Sequence, residues 1–220
     1  MHRPLAVLLA VSLSAAVACG EPDTQTAAGG TTTSSTPPAP ETTVPAPTTT
    51  TTAAERELTE QSRLRLDGIG PVRIGMTPEE ATQAVGREVA VDESSLLNDA
   101  ESVCGFAEVS GGPAGLAFMV LRPDPSADWR IYRIDVFEEG RIATGGGIRI
   151  GSTEDQVKLV YGDELKVEPH HYTGPEGHYL VLDVDGEGTG LMLLFETDGA
   201  KVTQFRSGNE EAVRYVEGCA

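Results

Sequence analysis

Hydrophobic and polar positions divide the 220-residue chain into three zones. An uncharged apolar run occupies Leu5–Val17, and a threonine- and proline-rich segment extends from there to Arg56. In the third zone, helix-sized stretches precede short runs in which apolar and polar residues alternate, with glycine-containing turns between them. Alternation with a period of two is typical of half-buried strands. Strands that follow one another after a helix indicate an α+β fold with antiparallel sheet.

A short motif occurs twice in the third zone, at an offset of 76 residues. Residues 71–86 align without gaps with residues 147–162, and five of the 16 residues are identical. In each copy a threonine stands before the helix, at Thr77 and Thr153, and a glutamate or glutamine follows three residues later. This spacing predicts a capping box. We therefore expect two tandem repeats, each a short helix followed by antiparallel β-sheet.

The repeat also predicts where the module and its elements lie. We expect a globular α+β module at 57–220, with repeat one at about 66–145 and repeat two at about 146–220. Expected strands lie at 103–109, 115–121, 129–137, 165–169, 178–184, 191–196 and 201–206. The expected apolar helix faces are Ala81, Ala84 and Val85 in repeat one and Val157, Val160 and Tyr161 in repeat two. A concave face of the antiparallel sheet is the expected binding surface.

The stretch Ile74-Gly75-Met76-Thr77, with a glycine after the helix and antiparallel strands beyond it, resembles a unit of small outer-membrane assembly lipoproteins. In tandem, the two copies resemble the secreted beta-lactamase inhibitor proteins, which repeat such a helix-plus-sheet unit twice. The resemblance covers 71–86, 147–162 and the layout of 66–220, and it implies a fold rather than an inhibitory interface. That family has a disulfide within each repeat, whereas each repeat here holds one cysteine. The end of the chain, 205–220, resembles actinobacterial secreted lipoproteins of unknown function.

The N-terminus has the features of a targeting segment. Two basic or titratable residues precede the 13 uncharged residues of Leu5–Val17, a run shorter than the roughly 20 residues of a membrane-spanning helix. The small residues before Cys19 resemble a bacterial lipobox, which implies a signal peptide at 1–18 and acylation of Cys19. An ordinary cleavable signal peptide is the alternative. The expected location is the extracytoplasmic face of a bacterial cell membrane, with the lipid on Cys19 as the anchor.

Residues 19–56 are expected to form a disordered tether. Between residues 21 and 56 there are 13 threonines and 6 prolines, and there is no leucine, isoleucine, phenylalanine or tyrosine. Such a segment buries too little apolar surface to offset the entropy that ordering would cost. Its composition also resembles O-glycosylated stalks, and the sequence leaves a glycosylated and an unmodified spacer both open.

The charge of the chain and the motifs it lacks argue against two classes of function, nucleic-acid binding and catalysis. The chain has 34 acidic and 16 basic side chains, and 29 and 14 of these lie within 58–220. Nucleic-acid binding requires a basic footprint, so we expect no nucleic-acid partner. The sequence contains no nucleophile elbow and no phosphate-binding loop. We therefore expect no enzyme activity and no cofactor.

Cys104 and Cys219 remain if Cys19 is acylated. Extracytoplasmic compartments are oxidising, so a Cys104–Cys219 disulfide is expected, with two buried free thiols as the alternative.

Three of the four histidines lie in the stretch His170–His178. Imidazoles together with a carboxylate are zinc ligands, so His170, His171 and His178 are candidate metal ligands if the hairpin brings them together. The chain has no paired metal-ligand spacing there, and the turn residues 173–177 indicate an ordinary loop. Surface histidines that respond to pH and plain hairpin residues are the alternatives. Our expectation is that no metal binds.

Taken together, these features favour a membrane-anchored extracytoplasmic lipoprotein with a non-catalytic binding or scaffolding role in the cell envelope. Its partner is expected to be a protein or a cell-wall polymer. The first alternative is a proteinaceous inhibitor of an extracellular hydrolase. The second is a metal-binding protein that uses the hairpin at His170–His178.

Overall fold

The computed structural model describes residues 57–96, 103–183 and 190–219. The expected signal peptide, Cys19 and the expected tether lie outside the described residues. The strands are β1 Arg63–Arg65, β2 Gly68–Ile69, β3 Val72–Arg73, β4 Val89–Val91, β5 Cys104–Val109, β6 Leu116–Leu121, β7 Arg130–Val136, β8 Ala143–Thr144, β9 Leu165–Pro169, β10 His178–Asp183, β11 Leu191–Thr197 and β12 Val202–Asn209. The helices are α1 Pro78–Val85, α2 Glu154–Tyr161 and α3 Glu210–Val213.

Eight of these strands form one antiparallel sheet in the order β4-β5-β6-β7-β12-β11-β10-β9. The short strands β3, β2, β1 and β8 form a second sheet, in which β1 pairs antiparallel with β2 and parallel with β8. The predicted α+β class is therefore confirmed. All seven strands predicted from the alternation are present within a few residues of the expected bounds, whereas the pattern did not indicate β4 or the four-stranded sheet.

The two halves of the large sheet have the same construction. In each half a helix precedes a four-stranded meander, and the last strands of the meanders, β7 and β12, pair with each other. The register shifts at the same place in both halves, between Met119 and Val120 and between Glu196 and Thr197. The loop before each helix also makes the same backbone bond. The N–H groups of Gly75 and Gly151 donate to the last strand of their own half, to β7 at 2.7 Å and to β12 at 2.8 Å.

Both helices begin with the predicted capping box. The Thr77 hydroxyl accepts a hydrogen bond from the Glu80 backbone at 3.2 Å, and the Glu80 carboxylate accepts one from the Thr77 backbone at 2.9 Å. Thr153 and Gln156 make the same two bonds at 3.2 and 2.9 Å. Each cap satisfies backbone donors that a helix start leaves without partners, and such a cap typically stabilises a protein by about 1 kcal/mol.

The main core lies between the helices, the four-stranded sheet and one face of the large sheet. Its largest buried side chains are Phe118, Phe195, Phe205, Ile131 and Ile134. Helix α1 buries Ala81 and Val85 there, and α2 buries Val157 together with Glu154.

The expected apolar face of α2 is partly wrong, because Val160 is 43% exposed. The buried positions of α2 follow the spacing Glu154, Val157 and Tyr161, the last of which is partly buried against the core. The helix face that meets the core therefore does not include Val160, and the neighbouring Leu159 is 85% exposed.

The opposite face of the large sheet is covered at its centre by the C-terminal segment, residues 210–219. Helix α3 packs on β7, β11 and β12, and Val213 joins a small apolar cluster with Tyr179, Val181, Met192 and Leu194. The C-terminal segment therefore covers this face of the central strands. The last strand continues directly into α3, and hydrophobic periodicity does not reveal that so short a helix folds back.

Candidate functional site

A groove of about 510 Å³ opens beside the C-terminal segment, on the sheet face that α3 covers. We call it the C-terminal groove. Its walls come from the start of β5, the end of β6, the loop between β9 and β10, and the last residues of the chain. The lining residues are Val103, Cys104, Leu121, His171, Tyr172, Tyr215, Val216, Glu217, Gly218 and Cys219.

Exposed apolar side chains concentrate at this groove. Seven large hydrophobic side chains are exposed within the part of the chain that the structure describes, and four of them line the groove. These four are Val103, Tyr172, Tyr215 and Val216, with exposures between 36% and 59%. Scattered exposed apolar residues are normal, but a contiguous group around a concavity marks an interaction site.

A disulfide closes the groove. Cys104 at the start of β5 and Cys219 near the end of the chain are joined, with their Cα atoms 5.5 Å apart. The predicted pairing is therefore confirmed. The bond ties residues 216–219 to the edge of the sheet, so it sets the distance between two walls of the groove.

The loop between β9 and β10 is held by His170. The Nδ1 atom of His170 accepts hydrogen bonds from the backbone of Tyr172 at 3.2 Å and of Thr173 at 3.3 Å. Because Nδ1 accepts, the ring proton resides on Nε2, which donates to Glu196 at 3.2 Å. The ring also packs on Tyr179, with centroids 4.6 Å apart. His170 is thus a positioning residue that sets where Tyr172 enters the groove.

Buried charges hold the other wall. Arg133 donates through Nη1 to the carbonyl oxygens of Ala212 at 2.8 Å and Tyr215 at 3.0 Å, and Arg206 donates through Nε to the carbonyl oxygen of Val213 at 2.6 Å. These bonds satisfy carbonyl groups at the end of α3, where a helix otherwise lacks partners.

Both guanidinium groups are neutralised beneath the C-terminal segment. Arg133 pairs with Asp135 at 2.9 Å, and Arg206 pairs with Glu196. Burial raises the pKa of Glu196, but the charge of Arg206 and several hydrogen bonds lower it by more, so the pKa lies below its usual value. Both charge pairs are fully buried, which makes their hydrogen bonds to the segment strong and specific.

Each tyrosine of the groove is coupled to a glutamate. The Tyr172 hydroxyl donates to the Glu217 carboxylate, and the Tyr215 hydroxyl donates to Glu211 at 3.4 Å. The hydrogen bond to Glu217 raises the pKa of Tyr172 to about 12. Burial and the charge of Glu211 raise the pKa of Tyr215 as well. Both phenols are therefore neutral at physiological pH, and each ring lies beside an exposed negative charge.

The other two candidate histidines have separate surroundings. His178 contacts the Glu154 carboxylate through Nδ1 at 2.7 Å, at the start of α2 on the other side of the sheet from the groove. His171 is exposed and meets the Tyr172 ring edge to face at 4.7 Å. Within 57–96, 103–183 and 190–219, no three His, Cys, Asp or Glu side chains are arranged to hold a metal ion. The hairpin thus uses His170 and His178 in two different hydrogen-bonded contacts.

The chain has no significant match among protein-family models, curated proteins or solved structures. Among the helices that the structure describes, none is long and apolar enough to cross a membrane.

The residues that form the groove were only partly indicated by the sequence. Tyr172 lies in the stretch His170–His178, whose histidines are the candidate metal ligands, and Cys104 and Cys219 are the expected disulfide pair. No motif in the sequence marks Tyr215 or Val216. The sequence does hold a weak signal for these two residues. They form an apolar pair that belongs to no periodic run and lies shortly before Cys219, so apolar side chains are expected on an irregular and exposed segment.

Proposed function

We propose that this protein is a membrane-anchored extracytoplasmic lipoprotein whose folded module binds a partner protein of the cell envelope without catalysis. The C-terminal groove is the proposed contact surface. The observation that carries the proposal is the concentration of Val103, Tyr172, Tyr215 and Val216 around one concavity.

A partner that covers the groove would gain binding free energy from the burial of apolar side chains. Transfer of apolar area out of water contributes about 25 cal/mol per Å², and aromatic residues in pockets are frequent hot spots of interfaces. The groove offers two aromatic rings whose positions are held by a disulfide, by His170 and by buried arginines. A wall that is already ordered loses little entropy when a partner binds.

The anchor is supported by the N-terminal sequence. A lipid on Cys19 followed by a threonine- and proline-rich segment of 37 residues, up to Arg56, would hold the module away from the membrane surface. A Cys19→Ala variant is expected to be released from membranes or to accumulate unprocessed. Normal processing together with full membrane retention of this variant would contradict the anchor.

The binding surface is tested by photo-crosslinking in the native cell. A photoreactive amino acid at position 172 or 216 is expected to capture the same partner, and the capture at 216 should be lost when Tyr172→Ser is added. Position 159 is the matched control, because Leu159 is a highly exposed apolar residue on the helix side of the sheet. Equal capture from 159 and from the groove positions would refute the proposed surface.

A second candidate function is inhibition of an extracellular hydrolase. The observation in its favour is the pair of matching helix-plus-meander units that share one eight-stranded sheet, which is the layout implied by the resemblance to beta-lactamase inhibitor proteins. An inhibitor would bind its hydrolase with nanomolar affinity. A panel of secreted hydrolases, beta-lactamases included, tests this candidate, and uninhibited activity across the panel at micromolar protein would exclude it.

A further inference from the structure

The charge around the C-terminal groove has one sign. Glu217 is the only charged side chain among the ten lining residues, and Glu211 lies beside Tyr215. No lysine or arginine is among the residues that line the groove in the described ranges 57–96, 103–183 and 190–219. The chain as a whole has a net charge of −18, so a partner surface that meets the groove gains by being basic.

Two arginines that neighbour lining residues in the sequence are held by other contacts. Arg214 lies next to Tyr215, and the charge of its guanidinium is balanced by Glu210 at 3.3 Å and Glu168 at 3.6 Å. Arg122 follows Leu121, and its guanidinium lies over the Trp129 ring at 4.2 Å and donates to the Pro125 carbonyl at 2.6 Å. Neither guanidinium is part of the groove lining.

The aromatic rings add a second reason to expect a cation. The rings of Tyr172 and Tyr215 are partly exposed, and their hydroxyls donate to carboxylates. The face of an aromatic ring attracts lysine and arginine side chains, by about 0.5–1 kcal/mol at exposed sites. The apolar walls formed by Val103 and Val216 attract an apolar side chain at the same place.

We propose that the C-terminal groove binds an extended segment of the partner protein in which an aromatic or long aliphatic side chain is flanked by lysine or arginine. The apolar side chain enters between Tyr172 and Val216, and the flanking cations lie against the tyrosine rings, Glu217 and Glu211. This inference rests on the proposed function, because it specifies the partner of that same surface.

The test measures binding of short labelled peptides to the full-length protein in phosphatidylcholine nanodiscs, by fluorescence anisotropy, with empty nanodiscs as the blank. The probe has the sequence Lys-Lys-Phe-Lys-Lys. Comparison peptides replace phenylalanine by serine or lysine by glutamate. We expect the probe to bind at least about tenfold more tightly than either comparison peptide, and about tenfold more weakly after Tyr172→Ser.

Two further variants distinguish binding of the peptide at the groove from its general electrostatic attraction to an acidic protein. Leu159→Ser removes an even more exposed apolar side chain from the other side of the sheet and should leave the affinity within twofold of wild type. Glu217→Gln should weaken probe binding and reduce its dependence on salt. Equal binding of the serine peptide, or equal loss in Leu159→Ser and Tyr172→Ser, would overturn the proposal, as would binding of wall-polymer fragments in place of the peptide.

The outcomes also separate this inference from the proposed function. If positions 172 and 216 crosslink a partner in cells but the basic peptide fails to bind, the proposed basic partner segment is wrong and the proposed contact surface is retained. If the peptide binds but no groove position crosslinks a partner, the proposed function fails.

Discussion

Loss of the disulfide is expected to loosen the C-terminal groove while the rest of the module stays folded. The bond joins residues that are 115 positions apart, and it holds the end of the C-terminal segment against β5. Residues 214–217 are exposed, and besides the disulfide they are held by the bond from Arg133 to the Tyr215 carbonyl and by exposed side-chain contacts such as that of Tyr172 with Glu217. Helix α3, by contrast, is held by Arg133, Arg206 and the apolar contacts of Val213.

The magnitude follows from the size of the loop. Closing a loop of 115 residues lowers the entropy of the unfolded chain by about 16 cal/mol/K, which corresponds to about 5 kcal/mol at 25 °C. Residual structure in the unfolded chain reduces this value, so we expect a loss of about 3–5 kcal/mol in the free energy of unfolding. Domains of this size are stable by about 5–15 kcal/mol, so the protein without the bond should remain folded at 25 °C.

The assay is urea unfolding of wild type and of the double variant Cys104→Ser/Cys219→Ser, each with and without a dithiol reductant. Reduction should lower the stability of wild type, add the mass of two hydrogens and leave the double variant unchanged. Hydrogen exchange in the folded state should rise in residues 216–219 before it rises in α3. A loss of stability below about 1 kcal/mol would refute the reasoning, and so would loss of α3 protection at the same rate as the tail.

Three further predictions concern the elements around the groove. His170→Ala removes the acceptor for two backbone N–H groups and a partner of Glu196. In urea unfolding this variant should be destabilised by about 1–3 kcal/mol, and it should bind the probe more weakly. In the same assay the control His171→Ala should change the stability by less than about 0.5 kcal/mol. The folded-state pKa of Glu196 lies below its ordinary value of 4.5, so its contribution to stability is fully present above about pH 5 and is lost as the pH falls through the lowered value. Burial raises the pKa of Asp135, which acts in the opposite direction, so the measured quantity is the difference in stability between wild type and Glu196→Gln. This difference should shrink between pH 7 and pH 3.5, and an unchanged or larger difference would contradict the expectation. Gly208→Ala should destabilise the protein by about 3 kcal/mol or more, because φ is +144° and the added methyl group would overlap a carbonyl oxygen of β7. Gly147→Ala should destabilise it by only about 1 kcal/mol, because φ is +85° but the space around the added methyl group is open. Equal melting temperatures for the two variants would refute the steric explanation.

Much of the fold follows from local sequence, because the ends of both helices and most strands have short-range signals. The capping boxes at Thr77 and Thr153 and the glycines that follow α1 and α2 mark the helix ends by themselves. Alternating runs located most of the strands, because each strand of the large sheet buries one face in the core. The strand β4 and the four-stranded sheet have only two or three residues per strand, which is too short for a period to be recognised.

The two halves of the large sheet carry opposite charges where their last strands meet. Residues Asp135 and Arg206 occupy matching positions in β7 and β12 and lie opposite each other where the halves join. Opposite charges at equivalent positions allow the two strands to meet in a buried and neutralised environment. The sequence repeat at 71–86 and 147–162 carries no sign of this pairing, because the strands lie outside it.

The class of fold, the positions of α1 and α2, the pairing of Cys104 with Cys219 and the expectation of an anchored, acidic, extracytoplasmic module follow from the amino-acid sequence. These features depend on neighbours in the chain, on composition or on the number of cysteines. The three-dimensional structure is needed to see that the C-terminal segment covers the centre of the sheet, that His170 holds a loop, and that Val103, Tyr172, Tyr215 and Val216 line one groove. Those residues come from three separate parts of the chain. Their proximity results from strand order and from the path of the C-terminal segment, and neither has a periodic signature in the sequence.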